Sequence, residues 1–313
     1  MTTINGTNAA DVLIGDILDD VIKGKRGDDI LVGRSGNDKL FGGAGRDLLY
    51  DGDGRDTLNG GADADVFVLG DDGDKDVIAD FQDGLDLIAI RADGVDDISD
   101  LQFTQLSNGR VRVDYGNDFV IIKGQGGQQL SVADFSADDF VFATRQTLDF
   151  EDLSYPGQSP GPNDTTFGGQ LDPSYGGLTW SASAFGVEGD ETPPSGLDNS
   201  SGSGDNALVN GFAAPLTISD DAPFDLEEIE MGALYRDGLE VTVEGWLAGQ
   251  LVGSQTVTLA TTGSTTVQLD DQIFDVVDTV TFTPVGGSGT SSPNYTAYGP
   301  NEHFYMDDVV VYA

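Results

Sequence analysis

Apolar positions recur every nine residues between 6 and 68. In blocks of nine that begin at Gly6, the eighth place holds Leu13, Ile22, Leu31, Leu40, Leu49, Leu58 and Phe67. The sixth place is always aspartate: Asp11, Asp20, Asp29, Asp38, Asp47, Asp56 and Asp65. Glycine fills the first place except at Asp51, and the fourth as Gly27, Gly36, Gly45 and Gly54. So short and strict a period predicts a solenoid. Nine residues suffice for a three-residue strand and a six-residue turn. The middle strand residue points inward, so the eighth places stack into a thin core. Two blocks make one coil, which sets blocks two apart above one another. Each turn then offers carboxylate and carbonyl oxygens to the next, an all-oxygen cage that suits a hard cation, calcium better than magnesium. Stacked aspartates without a cation would repel one another.

The outward strand positions divide the two faces. Alternate blocks give Val12, Ile14, Ile30, Val32, Leu48, Tyr50, Val66 and Val68, an apolar face that calls for a cover. The expected cover is residues 69–143, with a neighbouring subunit as the alternative. Period-two alternation there predicts strands at 76–81, 84–90, 110–115 and 119–124, a hairpin at Asn108-Gly109, and a short helix near Ser131 to Phe135. Asp76, Asp80 and Asp86 read either as further cation ligands or as turn aspartates. Residues 154–206 are rich in Gly, Ser, Pro and Asp. Strands return at 216–218, 239–246, 251–259, 265–269, 276–282 and 304–312, with turn residues between them, which predicts an antiparallel sandwich. The fold class expected is all-β: a parallel β-roll over 1–68, strands over 69–143, and a jelly-roll sandwich over 144–313.

The blocks Gly24 to Val32, Gly33 to Phe41 and Gly42 to Tyr50 resemble the RTX, or haemolysin-type, calcium-binding repeat G-G-x-G-x-D-x-U-x. Blocks one and two depart, with Ala9 and Leu18 in the fourth place; block six begins with Asp51, and block seven has Asp63 in the fourth place. The resemblance implies a β-roll holding several calcium ions, with Asp29, Asp38, Asp47 and Asp56 as ligands and Asp11, Asp20 and Asp65 behind them; Asp86 stays a further candidate ligand outside the repeats. It also implies export by type I secretion on an uncleaved carboxy-terminal signal, and so an extracellular or cell-surface location. The tail Asp307 to Ala313 is similar to such a signal and reads equally as a last strand. Val66 to Ile88 resembles the region that closes the roll in serralysin-type proteases, but no H-E-x-x-H is present. The segments Leu148 to Leu153, Tyr175 to Trp180, Gly238 to Gly245 and Phe304 to Val309 resemble jelly-roll carbohydrate-binding modules. That resemblance implies pairing of first and last strands and a structural calcium held by Glu151 with Asp307 or Asp308.

Charge and chemistry narrow the function. With 14 basic and 55 acidic residues the formal charge is −41. Such a chain repels nucleic acid and anionic membranes. Cysteine is absent, so calcium is the one staple at hand. Met1 to Asn5 lacks the basic and apolar regions of a cleavable signal, and no run is long enough to cross a bilayer. No catalytic set stands out: His303 is the single histidine, and an enzyme is not expected. Tyr295 and Tyr298, in a Gly/Pro-containing stretch, are the candidate sugar-stacking residues. Two functions remain open: a calcium-dependent structural or adhesive protein, a homo-oligomer or filament among its forms, and a calcium-stabilised polysaccharide-binding module.

Overall fold

A computed structural model describes residues 1–150, 171–181, 184–188, 206–210, 215–233, 238–260, 264–285 and 304–312. The chain forms two compact units, Met1–Thr144 and Arg145–Ala313.

In the first unit the nine-residue period becomes two parallel sheets. One contains β1 (Thr2–Asn5), β3 (Asp20–Arg26), β5 (Lys39–Ala44), β7 (Thr57–Ala62) and β9 (Lys75–Phe81); the other contains β2 (Val12–Ile14), β4 (Ile30–Val32), β6 (Leu48–Tyr50), β8 (Val66–Leu69) and β10 (Leu87–Ile90). The eighth places fall in register. Ile22, Leu40, Leu58 and Ile78 are successive partners in the first sheet. Leu13, Leu31, Leu49, Phe67 and Ile88 are successive partners in the second. All but Leu13 are fully buried, so one side chain per strand makes the core.

Residues 69–143 continue the roll at its sheet edges, and Arg91 from this segment lies over the ring of Tyr50 on the apolar face. Strands β11 (Gln102–Leu106), β12 (Arg110–Tyr115) and β13 (Asp118–Gly124) extend the first sheet in the order β9-β13-β12-β11, and β14 (Phe140–Phe142) extends the second beyond β10. Edge pairing satisfies the backbone groups that an ending solenoid would leave open. The β11–β12 hairpin turns through three residues, Ser107 to Gly109, and Asn108 and Gly109 both take positive φ, which these two residue types accept most readily. The short helix expected near Ser131 is a 3-10 turn, Val132–Asp134. Phe135 beside it stacks on Phe81 at 5.6 Å and packs against Phe103 and Phe140, closing this end of the core.

The second unit is antiparallel throughout its described pairings. Its strands are β15 (Arg145–Leu148), β16 (Thr179–Trp180), β17 (Ala184–Glu188), β18 (Asn206–Asn210), β19 (Leu216–Ala233), β20 (Leu239–Leu247), β21 (Gln250–Leu259), β22 (Thr265–Gln268), β23 (Val277–Val285) and β24 (Phe304–Tyr312). The long β19 serves two sheets. Its first part pairs with β16 and β23, its second with β22 and β24. First and last strands of the unit pair, Leu148 opposite Val309. Phe224, Phe274, Phe282 and Phe304 lie in one buried core with Trp180.

Candidate metal centre

The sixth-place aspartates form two columns along the roll, Asp11, Asp29, Asp47 and Asp65 on one side and Asp20, Asp38 and Asp56 on the other. From Asp29 onward, Oδ1 accepts the backbone N–H of the aspartate one coil earlier, and Asp20 Oδ1 accepts from the Thr2 N–H at 2.8 Å. Asp29 accepts from Asp11 at 2.8 Å, Asp38 from Asp20 at 2.7 Å, Asp47 from Asp29 at 2.9 Å, Asp56 from Asp38 at 2.5 Å and Asp65 from Asp47 at 3.0 Å. The columns run past the repeats: Asp56 N–H donates to Asp76 at 2.8 Å and Asp65 N–H to Asp86 at 3.1 Å. Two extra residues on one side and three on the other, where the spacing of 18 becomes 20 and 21, are absorbed in the turns.

The second oxygen is the informative one. Oδ2 of Asp29, Asp38, Asp47, Asp56 and Asp65 is buried and accepts no hydrogen bond. A buried carboxylate oxygen without a partner is costly, and several in a column more so. Burial pushes Asp38 up to about 7, Asp47 to about 6, Asp56 to about 9 and Asp65 to about 7, with neighbouring aspartates adding to the push. Burial likewise raises Asp29 and Asp86. Glycine in the first place keeps space beside these oxygens. A Cβ on Gly42 would lie 2.3 Å from Asp47 Oδ2 and 2.7 Å from the Gly60 carbonyl oxygen. Carboxylate and carbonyl oxygens therefore converge in pockets without side chains. An all-oxygen, anionic donor set of this kind fits calcium.

The columns are not uniform. Asp11 Oδ2 accepts from the Thr7 N–H at 2.5 Å and the Thr7 hydroxyl at 2.8 Å, and Asp20 Oδ2 accepts from the Asp16 N–H at 3.0 Å. At the far end Asp86 Oδ2 accepts from the Gln82 N–H at 2.8 Å. The cause in the first two blocks is local backbone. From block three onward the second-place residue is left-handed, even where it is Lys25 (φ 88°) or Arg34 (φ 69°); Thr7 and Asp16 are not. Where the second place is not left-handed, its N–H donates to the aspartate and fills the pocket. Asp80 spends both oxygens on the Gly60 and Gly61 N–H groups, at 3.0 and 2.9 Å.

Sequence reasoning named one member, Asp76, of a further cluster but neither of its partners. Single carboxylate oxygens of Asp72, Asp76 and Asp118 lie within 4.8 Å of one another. Asp51, where the repeat has glycine, was a visible signal for this corner; Asp118, outside the period, gave none.

In the second unit, Asp307 is fully buried and its Oδ1 accepts the Asp308 N–H at 2.9 Å, with Asp308 at φ 42°. Glu151, Tyr295, Tyr298 and His303 lie outside the described residues. Trp180 is a core residue, its Nε1 donating to the Tyr175 carbonyl at 2.8 Å.

Residues 14–49 and 41–75 match the family model of the RTX calcium-binding nonapeptide repeat. No curated protein matches the chain. Among solved structures, the R2 subunit of a mannuronan C5-epimerase from Azotobacter vinelandii is 27% identical over 44% of this chain and 91% of that one, with a TM-score of 0.24. The R3 subunit of the same enzyme is 26% identical over 51% and 93%, TM-score 0.21. A CBM32-2 module of a GH31 protein bound to GalNAc is 15% identical over 55% and 98%, TM-score 0.23.

Proposed function

Taking the amino-terminal roll as what its repeats make it, an RTX calcium-binding β-roll, we propose that this protein is an extracellular structural or adhesive protein that folds when it meets calcium outside the cell. The observation that carries this reading is the run of five aspartates, Asp29 to Asp65, whose buried Oδ2 atoms have no partner within the protein. Inside a cell, where calcium is scarce, these oxygens repel one another and the thin core does not offset them. The roll then stays open, a state suited to passage through a secretion channel. Outside, extracellular calcium modules bind at about 0.1–1 mM. At tenfold excess each ion contributes about 1.4 kcal/mol, so four to six contribute roughly 6–8 kcal/mol. That is the scale of a whole domain's stability.

No helix among the described residues is long and apolar enough to cross a membrane. Assembly into oligomers or filaments is supported by the strands that end each sheet of the roll. β1 and β2 are terminal in their sheets, with Ile17 and Leu18 exposed nearby. Such edges template strand pairing with another chain.

The test is sedimentation of the whole chain in 5–10 times the binding concentration of calcium and in chelator. Expansion in chelator and a compact or associated form in calcium support the reading; one unchanged compact species in both overturns it.

A second reading, binding to a polysaccharide, is favoured by one feature. The aliphatic stems of Lys23, Lys25 and Lys39 line, with Val21 and Phe41, a shallow apolar groove of about 510 Å³ on the first sheet of the roll, and the Lys25 ammonium turns away to donate to the Gly6 carbonyl. An aromatic ring with apolar neighbours suits the C–H face of a sugar polymer. Retention of the calcium-loaded chain on such a polymer, lost in a Lys23→Glu and Lys39→Glu chain, supports it; equal retention of both chains removes it.

A further inference from the structure

We propose that Asp72, Asp76 and Asp118, with Asp51 beside them, hold a calcium ion that pins the β12–β13 hairpin to the end of the roll. Asp76 and Asp118 lie outside the segments that match the repeat, and Asp118 comes from a strand that is not part of any repeat. β13 pairs parallel with β9, placing Val120 opposite Asp76. The hairpin turn, Gly116 and Asn117, brings Asp118 opposite Tyr115. This turn sits on the 71–74 loop. Asn117 N–H donates to Asp71 Oδ1 at 3.2 Å, and a Cβ on Gly116 would meet Asp71 Oδ2 at 2.6 Å. Two segments more than forty residues apart thus bring their carboxylates to one point.

The assembly leaves polar atoms without partners. Asp118 is 3% exposed; its Oδ1 takes the Phe119 N–H at 2.5 Å and its Oδ2 takes nothing. Tyr115 is 1% exposed, its hydroxyl has no partner, and it stands in the field of Asp51, Asp118, Asp76 and Asp72. Asp76 Oδ1 is engaged by the Asp56 N–H, Asp51 Oδ1 by Gly52 and Gly70 N–H groups at 2.8 and 3.3 Å, and Asp72 by the Gly54 N–H on Oδ2 and the Asp74 N–H at 2.9 Å on Oδ1, each leaving lone pairs for a cation. No basic side chain closes the set with an ion pair among the described residues. Buried carboxylates that share a site are stable together when a cation lies between them or when protons neutralise them. A hard, oxygen-seeking divalent ion is the occupant these donors select. The function follows from the placement: the hairpin is fastened to the aspartate column by an ion rather than by packing alone.

The experiment measures calcium bound per chain at saturation by equilibrium dialysis, with amide exchange of residues 115–119 followed in parallel, on the full chain. Asp118→Asn is expected to bind one ion fewer than the parent, and its hairpin turn to lose the slowing of exchange that calcium brings, while residues 29–65 keep theirs. Asp38→Asn is expected to do the converse, which separates this site from the column. Should Asp118→Asn not fold, Asp72→Asn at the exposed ligand is expected to weaken one site at least tenfold. Equal stoichiometry and equal exchange response in parent and Asp118→Asn, or an unshifted titration in Asp72→Asn, means that protons alone neutralise the cluster and overturns the proposal.

Discussion

Residues 1–144 bury twelve acidic side chains, whereas the described part of 145–313 buries two, Glu230 and Asp307. Their cores differ in the opposite sense. The roll stacks one apolar side chain per strand, while the second unit packs two antiparallel sheets over a broad cluster that includes Phe224, Phe274, Phe282 and Phe304. A wide core carries its own stability through buried apolar area. A narrow one with a column of carboxylates beside it cannot, because each unpartnered oxygen sets a desolvation cost against the burial. The lesson is that the roll is a fold completed by its ions and the sandwich is a fold completed by its side chains. Removing calcium should therefore divide the molecule. Amide exchange of the full chain is expected to lose protection across residues 11–90, a loss of roughly 6–8 kcal/mol, while β19, β20, β23 and β24 keep theirs. Equal loss in both units would end the comparison.

Acidity is the next largest lever, since it acts on several aspartates together. Folded values of about 6 to 9 at Asp38, Asp47, Asp56 and Asp65 stand above the unfolded value near 3.8, chiefly because of burial. Stability from such groups is fully present below the unfolded value and is lost as pH rises through the folded ones. In calcium-free buffer the roll is therefore expected to resist urea better at pH 5 than at pH 8. With calcium the order changes: protons compete for the same oxygens, so the calcium concentration at half-folding rises as pH falls. Urea titrations followed by circular dichroism check both signs. A calcium-free roll more stable at pH 8 would contradict the burial of unpartnered carboxylates.

Core truncation sharpens the contrast between thin and thick. Leu40 touches the line of single residues between coils and is fully buried. Leu40→Ala is expected to cost about 2–5 kcal/mol, and to appear as a higher calcium requirement for folding, with the second unit's melting unchanged. A cost confined to the second unit, or no shift in the calcium midpoint, would show that the line of apolar residues does not carry the coil.

How much of this was legible in the chain follows from period. Nine-residue spacing exposes the coil, its apolar line and its aspartate column at once, because each block repeats the same local problem. Pocket closure at Asp11 and Asp20 was half visible: Ala9 and Leu18 marked the first two blocks as different, but the N–H that fills each pocket depends on the second-place φ, which a residue name does not fix. Prolongation of the sheets by residues 69–142 was hidden because alternation identifies a strand and not its neighbour. In the second unit, sequence pattern caught Leu216 to Ile218 but not the rest of β19. That strand changes sheets along its length, and its burial pattern loses strict alternation where it does so. The four-residue helix Asp271–Phe274 escaped for a similar reason, being held by a single Asp270 cap between two strands.

The column itself offers the finest comparison, between aspartates with a free oxygen and those without. Asp47→Asn replaces a carboxylate whose Oδ2 has no partner and is expected to remove one ion's contribution, about 1.4 kcal/mol at tenfold calcium excess. Asp11→Asn should do far less. Its Oδ2 is already occupied by the Thr7 N–H and hydroxyl, and an asparagine oxygen can accept from the same amide. A change within about 0.5 kcal/mol is expected there, as for surface substitutions that remove no special feature. Paired calcium titrations of the two variants make the measurement. Were Asp11→Asn to raise the calcium midpoint as far as Asp47→Asn does, calcium would have to displace the Thr7 contacts on binding, and an unpartnered oxygen would no longer mark which turns of the roll hold an ion.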